Sequence, residues 1–161
     1  MAVDMFIKID DIKGESVDSK HANEIDVLAW SWGATQSGTT HTGPGGGAGK
    51  VNVQDLSITK YVDRSTPTLL GLCFSGKHIA KAVLTARKAG GTALEFIKIT
   101  MEDAIVSAVS QGGSGGEDRF TENVVLNFAK VKFEYTPQKK DGTGDAAVPF
   151  GFDIAANVKS G

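Results

Sequence analysis

Three stretches hold residue types at spacings that could do chemistry. The first is GPGGGAG, Gly43 to Gly49, followed at once by Lys50. Glycines ahead of a lysine suggest a phosphate loop, where backbone N–H groups cradle phosphate oxygens and the lysine reaches the outer phosphates. The pattern G-x-x-x-x-G-K-[ST] fails at Pro44, where it needs glycine, and at Val51, where it needs a hydroxyl. It also needs a helix after the lysine, whose N-terminus holds the anion. VNVQDLSI reads as a strand instead. Gly43-x-Gly45-x-x-Ala48 fits a dinucleotide pattern in letters and lacks the same helix.

The second stretch is Gly112-Gly113-Ser114-Gly115-Gly116, a formal G-x-S-x-G. A nucleophile elbow places its serine between a strand and a helix, with the partner histidine last in the chain. His21, His41 and His78 all precede Ser114, and Glu117 to Phe128 has a strand-like composition. The GGSGG run reads as a hairpin loop. The three histidines are the third candidate, and they show neither i, i+4 nor H-x-H spacing, so no metal site is expected. No cofactor is expected either.

Composition narrows the partners. Seventeen Lys+Arg against nineteen Asp+Glu give a net charge of −2, which argues against nucleic acid, since such a partner favours a basic face. Lone Cys73 excludes an internal disulfide and suits a reducing compartment. Residues 1–20 alternate apolar and charged, so no cleavable signal peptide is read there. No apolar run approaches the ~18 residues of a membrane span. A protein of this kind that left the cell would leave folded.

The elements that must position these residues are mostly strands in a single domain, 1–161. Val3, Met5, Ile7 and Ile9 alternate with polar neighbours and predict a strand. Glu24 to Gly33 predicts a second, with Ile25, Val27, Ala29 and Ser31 on one face and Leu28, Trp30 and Trp32 on the other. The apolar phase slips by one residue at Gln54-Asp55, at Phe96-Ile97 and between Phe128 and Val131. Such slips mark bulges or bends, and three long bent strands favour a closed barrel. Asp63 to Pro67 offers a helix start, and Gly76 a left-handed stop. Lys77–Lys88, Thr92–Ser110, Thr121–Tyr135 and the stretch from Phe150 to Val158 complete about seven strands. QKKDGTGD, within 137–149, is a polar loop.

Several segments together are similar to one family. MAVDMFIKI, EIDVLAWSWG, HTGPGGGAGKVNVQDLSITKYVDRSTP, GGSGGEDRFTENVVLNF and FGFDIAANV resemble Hcp, the haemolysin-coregulated proteins of bacterial type VI secretion, from the first residue nearly to the last. The resemblance implies a mainly β fold, a two-sheet β-barrel with one short flanking α-helix, similar to phage tail-tube proteins. It implies no enzyme. It implies a homohexameric ring that stacks into a tube inside a contractile sheath, carries a VgrG spike and holds small effector proteins in its lumen. Localisation follows: bacterial cytoplasm before firing, then secretion without a cleaved signal peptide and without membrane insertion.

Mapped onto this chain, the arm Thr35 to Lys50 is the expected ring-stacking loop, with His41, Gly43, Gly45, Gly46, Gly47, Gly49 and Lys50. Ser31 is the expected lumen residue: a lumen that passes varied cargo should be small and polar, and Trp30 and Trp32 are expected to pack on the opposite side of the strand. Glu117, Asp118, Arg119 and Glu122 are the expected lateral contacts. Two alternatives stand beside this reading: a phage-type tail-tube subunit, and a serine hydrolase using Ser114.

Overall fold

A computed structural model describes residues 2–38, 49–90 and 93–161. The chain runs β1 (Val3–Ile9), β2 (Ile25–Asp26), β3 (Ala29–Ser31), β4 (Ala34–Thr35), β5 (Asn52–Val53) and β6 (Leu56–Tyr61). There follow α1 (Thr66–Ser75), β7 (Ile79–Lys88), β8 (Leu94–Gln111), β9 (Thr121–Tyr135), β10 (Val148–Asp153) and β11 (Val158–Lys159). All pairings are antiparallel.

The expected closed barrel does not form. One sheet runs in the order β11-β10-β9-β8-β7-β1-β2, with β6 joined to both β9 and β3, and a separate ribbon pairs β4 with β5. These are open antiparallel sheets. Two causes are visible. The strand expected over Glu24–Gly33 breaks in two, so among the described residues β2 pairs only with β1 and β3 only with β6. Single backbone bonds mark the crossing, Val27 N–H to the Met5 carbonyl at 2.9 Å and Leu28 N–H to that of Thr59 at 2.8 Å. In addition, β6 and β10 share one edge of β9, the first along 121–126 and the second along 130–135. The sheet branches there instead of returning on itself.

The phase slips are where the bends are. At Gln54-Asp55 the strand is interrupted between β5 and β6. At Phe96 the β7–β8 ladder steps from Ala86↔Ile97 to Arg87↔Glu95, leaving Phe96 as the extra residue of a bulge. Across from Ala129, Asp103 takes a φ of +51°, and the ladder resumes at Ala104↔Phe128. A further bulge at Ser107 lies between Val106↔Leu126 and Ala108↔Val125. Each irregularity re-aims the next apolar residues at the core. So Ile99 and Met101, then Ala104 and Val106, are all buried.

That core joins Ile7 and Ile9 of β1, Leu56 and Ile58 of β6, Leu84 of β7, and Val124 and Leu126 of β9 in one cluster. Leu69 of α1 is fully buried within it. The helix ends as expected: Gly76 has φ +65° and donates its N–H to the Leu72 carbonyl at 2.9 Å. Its start is different. Ser65 occupies the cap without a side-chain capping bond, and Asp63 Oδ1 instead accepts the Ser65 N–H at 2.9 Å.

The loop between β1 and β2 is ordered by specific contacts. Gly14 passes so close to the Glu24 carbonyl that no side chain would fit. Arg87 reaches from β7 to hold the loop by Asp18, with Nη1–Oδ2 at 3.0 Å and Nη2–Oδ1 at 2.6 Å. That guanidinium also reaches Asp4 at 3.2 Å and lies 5.2 Å from the Phe6 ring.

Candidate functional site

The ladders assemble one face of unusual uniformity. Ser31 of β3 stands across from Ser57 of β6, which stands across from Val125 of β9, which stands across from Ala108 of β8. The next row is Ala29, Thr59, Asn123 and Ser110. Residues directly opposite in a ladder share a face, so four strands present eight small or uncharged side chains together. Ser31, Ala29, Asn123 and Ser110 are exposed, and the others are half-buried. Thr59 Oγ1 donates to Asn123 Oδ1 at 2.7 Å. At one end Asp55 accepts from Asn127 Nδ2 at 2.9 Å and from Ser107 Oγ at 3.0 Å.

Behind this face the aromatics pack inward. Trp30 and Trp32 both lie against the core, and the Trp32 ring is 6.4 Å from that of Phe133 at an interplanar angle of 17°. Ile25 and Val27 are buried too, so the buried parity changes between Val27 and Trp30. The break between β2 and β3 performs that switch, and the unbroken alternation read from the sequence missed it.

The inner side of the same strands holds what sequence reasoning overlooked. Lys60 and Glu122 pair directly across the β6–β9 ladder, and their side chains are both 0% exposed. Lys60 Nζ donates to Glu122 Oε2 at 2.5 Å, to Asp63 Oδ1 at 3.0 Å and to the Tyr61 carbonyl at 2.8 Å. Glu122 also accepts from Thr66 Oγ1 and, at 2.7 Å, from Gln111 Nε2. Burial pushes the Glu122 carboxyl up, but hydrogen bonds from Lys60, Thr66 and Gln111 outweigh it and hold the group below its ordinary value. The network ties the first turn of α1 to the sheet. Its signal was in the sequence: Lys60 has the core parity of Leu56 and Ile58, and Glu122 that of Val124 and Leu126.

The remaining expected site residues are dispersed. Glu117, Asp118 and Arg119 lie in the exposed loop before β9, where the Arg119 guanidinium sits 3.7 Å from the Tyr61 ring centroid. Glu122 is separated from them by its burial. Gly49 and Lys50 are exposed, next to the β4–β5 ribbon in which Thr35 pairs with Asn52. His41, Gly43, Gly45, Gly46 and Gly47 lie outside the described residues. Ser114 is exposed in the loop after β8, where its carbonyl accepts the Glu117 N–H at 3.1 Å.

The small polar face carries neither a nucleophile–base pair nor a charged pair along its two rows. It offers shape, weak hydrogen bonding and little adhesion. Among the described residues, no helix is long and apolar enough to cross a membrane.

Comparison with known proteins decides the family. Residues 6–135 match the family model described as "Type VI secretion system effector, Hcp". "Protein hcp1" of Pseudomonas aeruginosa is 63% identical over 162 residues, spanning 99% of this chain and 100% of that protein. The chain belongs to the Hcp family of the type VI secretion system. Solved structures agree. A "type six secretion system protein" superposes with a TM-score of 0.93 at 30% identity, over 99% of this chain and 100% of that one. Hcp1 of Salmonella typhimurium gives 0.79 at 40% identity, over 99% and 100%. The mainly β fold with one short helix is thus an Hcp fold, and Hcp proteins are structural components of secretion rather than a known enzyme family.

Proposed function

We propose that this Hcp chain is a single-domain subunit of the type VI inner tube. Six copies close a ring, rings stack, and the small polar face of β3, β6, β9 and β8 lines the lumen. The observation that carries this reading is the pair of rows from Ser31 to Ala108 and from Ala29 to Ser110, which lack charge and bulk across four strands. A channel that passes varied small effector proteins needs such a wall, because charges and large apolar groups would retain some cargo and repel others.

The rest of the assembly follows from this reading. The arm Thr35 to Lys50, on its β4–β5 ribbon, docks on the next ring. Glu117, Asp118 and Arg119 are placed to meet a lateral neighbour, whereas Glu122 serves from inside by holding the strand that leads out of their loop. A closed ring needs two different patches on each subunit. The tube moves inside a contractile sheath, bears a VgrG spike, starts in the cytoplasm and is exported folded.

The test combines mass and cargo. Native mass measurement should give a sixfold mass for the wild type and for Ser31→Arg. The variant should lose co-purified effector while keeping its rings. A monomeric wild type would overturn the ring, and full cargo recovery by Ser31→Arg would overturn the lumen assignment.

A further inference from the structure

At the other end of the sheet a cavity of about 420 Å³ opens between β1, β7, β8 and the 10–24 loop. Three lysines line it, one from each strand: Lys8, Lys81 and Lys98. Lys8 stands across from Val83 and Lys98 across from Thr85, so with Lys81 the three lysines share one face of the sheet around that stretch of β7. Among the described residues, none of the three enters an ion pair.

The loop wall supplies the opposite polarity. His21 is only 8% exposed and stacks on Phe6, with centroids 4.5 Å apart and planes 10° from parallel. Its Nδ1 lies 3.0 Å from Glu24 Oε1, and an acceptor there fixes the hydrogen on Nδ1. In the neutral ring Nε2 then presents a lone pair, and that buried atom has no hydrogen-bond partner. Glu95 Oε1 is 3.4 Å from it without forming a hydrogen bond, and is an acceptor too. The cavity's other carboxylate, Asp10, is already used: its two oxygens accept the N–H groups of Ala80 and Lys81 at 3.0 and 2.9 Å.

A ligand that suits this cavity must bring negative oxygens to three ammonium groups and one hydroxyl hydrogen to a pair of acceptors. Monohydrogen phosphate carries both, whereas sulfate carries only the first. The geometry points to a phosphate site in which Lys8, Lys81 and Lys98 hold the anionic oxygens while the P–OH hydrogen is donated to His21 Nε2, with Glu95 beside it. The occupant is the free ion or a monoprotonated phosphate monoester.

Inorganic phosphate is titrated into the full-length protein against sodium chloride at matched ionic strength, and the His21 ring signals are followed by NMR. A saturable shift is expected, with sulfate binding about tenfold more weakly, the worth of one hydrogen bond to a charged group. Lys8→Gln combined with Lys98→Gln should weaken phosphate at least about tenfold, while Lys139→Gln, in the exposed 137–149 loop, should not. Glycerol phosphate separates the sources: binding equal to inorganic phosphate supports a monoester, and weaker binding supports the free ion. No saturable shift, equal binding of sulfate, or an unaffected double variant would each overturn the site.

Discussion

The sheet carries an ion pair near each end, and the two are built in opposite ways. Beneath the small polar face, Lys60 and Glu122 are sealed on the core side, each saturated with hydrogen bonds. Beside the lysine-lined cavity, Arg87 clamps Asp18 and Asp4 at the rim, where the Asp4 side chain is 49% exposed and that of Asp18 22%. Where charge is drawn inward, the outer face above it is neutral. Where charge is left at the surface, it organises a loop and a cavity. Two strands of one sheet can thus present an indifferent surface at one end and a discriminating one at the other.

The largest effect should come from breaking the sealed pair. Glu122→Leu leaves Lys60 buried with its main partner gone, which costs about 3–5 kcal/mol. Lys60→Met combined with Glu122→Leu should recover most of that, because well-packed apolar replacements of a buried pair are often neutral. Urea unfolding of the three variants measures both; a double variant as unstable as the single one would mean the pair itself is needed.

The rim clamp should matter less to global stability and more to local order. Arg87→Gln should speed hydrogen exchange at the Gly14 and Ser16 amides, which bond to the Asn23 and Glu24 carbonyls. Amides of β6 and β9 should keep their protection. Equal loss at both ends would erase the contrast.

Acid sharpens the comparison further. Glu122 is held below its ordinary value of 4.5 and Asp18 below 3.8. A carboxylate whose folded value is depressed stabilises the fold fully above its unfolded value and loses that contribution as pH falls through the folded one. Stability should therefore decline below about pH 4.5. Glu122→Gln should flatten part of that decline, and a slope identical to wild type would deny Glu122 its share.

The smallest expected change is Arg119→Ala. It removes the contact over Tyr61, worth about 0.5–1 kcal/mol at an exposed site, and should shift the unfolding midpoint slightly. A loss approaching that of Glu122→Leu would show that the loop belongs to the sealed network.

Much of this was legible in the sequence, and the failures have physical reasons. β1, β9 and the C-terminus of α1 follow directly from period-two alternation and from a glycine able to take φ +65°. The slips at Gln54-Asp55 and Phe96 became a break and a bulge because an apolar residue on the wrong parity can return to the core in no other way. Closure was not legible. Whether a strand carries a continuous ladder on both edges depends on the break at Val27-Leu28, where apolar residues sit on both parities and no polar residue marks the switch. Ser31 was assigned to the face opposite the tryptophans, and it stands exposed while they pack inward. The Lys60–Glu122 pair was obscured in the sequence because Glu122 stands in a charged run with Glu117, Asp118 and Arg119 and reads with them as a surface contact. The 10–24 segment reads as a polar loop, and its order was not legible because it comes from partners distant in sequence, Arg87 above all.

The bulge at Ser107 has a genetic consequence. Beyond it Val109 points to the core, and Ala108 and Ser110 point out. Removing Ser107 deletes the surplus residue and leaves every later partner in place. Removing Ala108 has the same result, because Ser107 then takes its place across from Val125 and again sets a small side chain on the outer face. In this strand single-residue deletions should be filtered far more severely than substitutions, and a deletion at the Ser107 bulge is one that leaves the reading of the two faces intact.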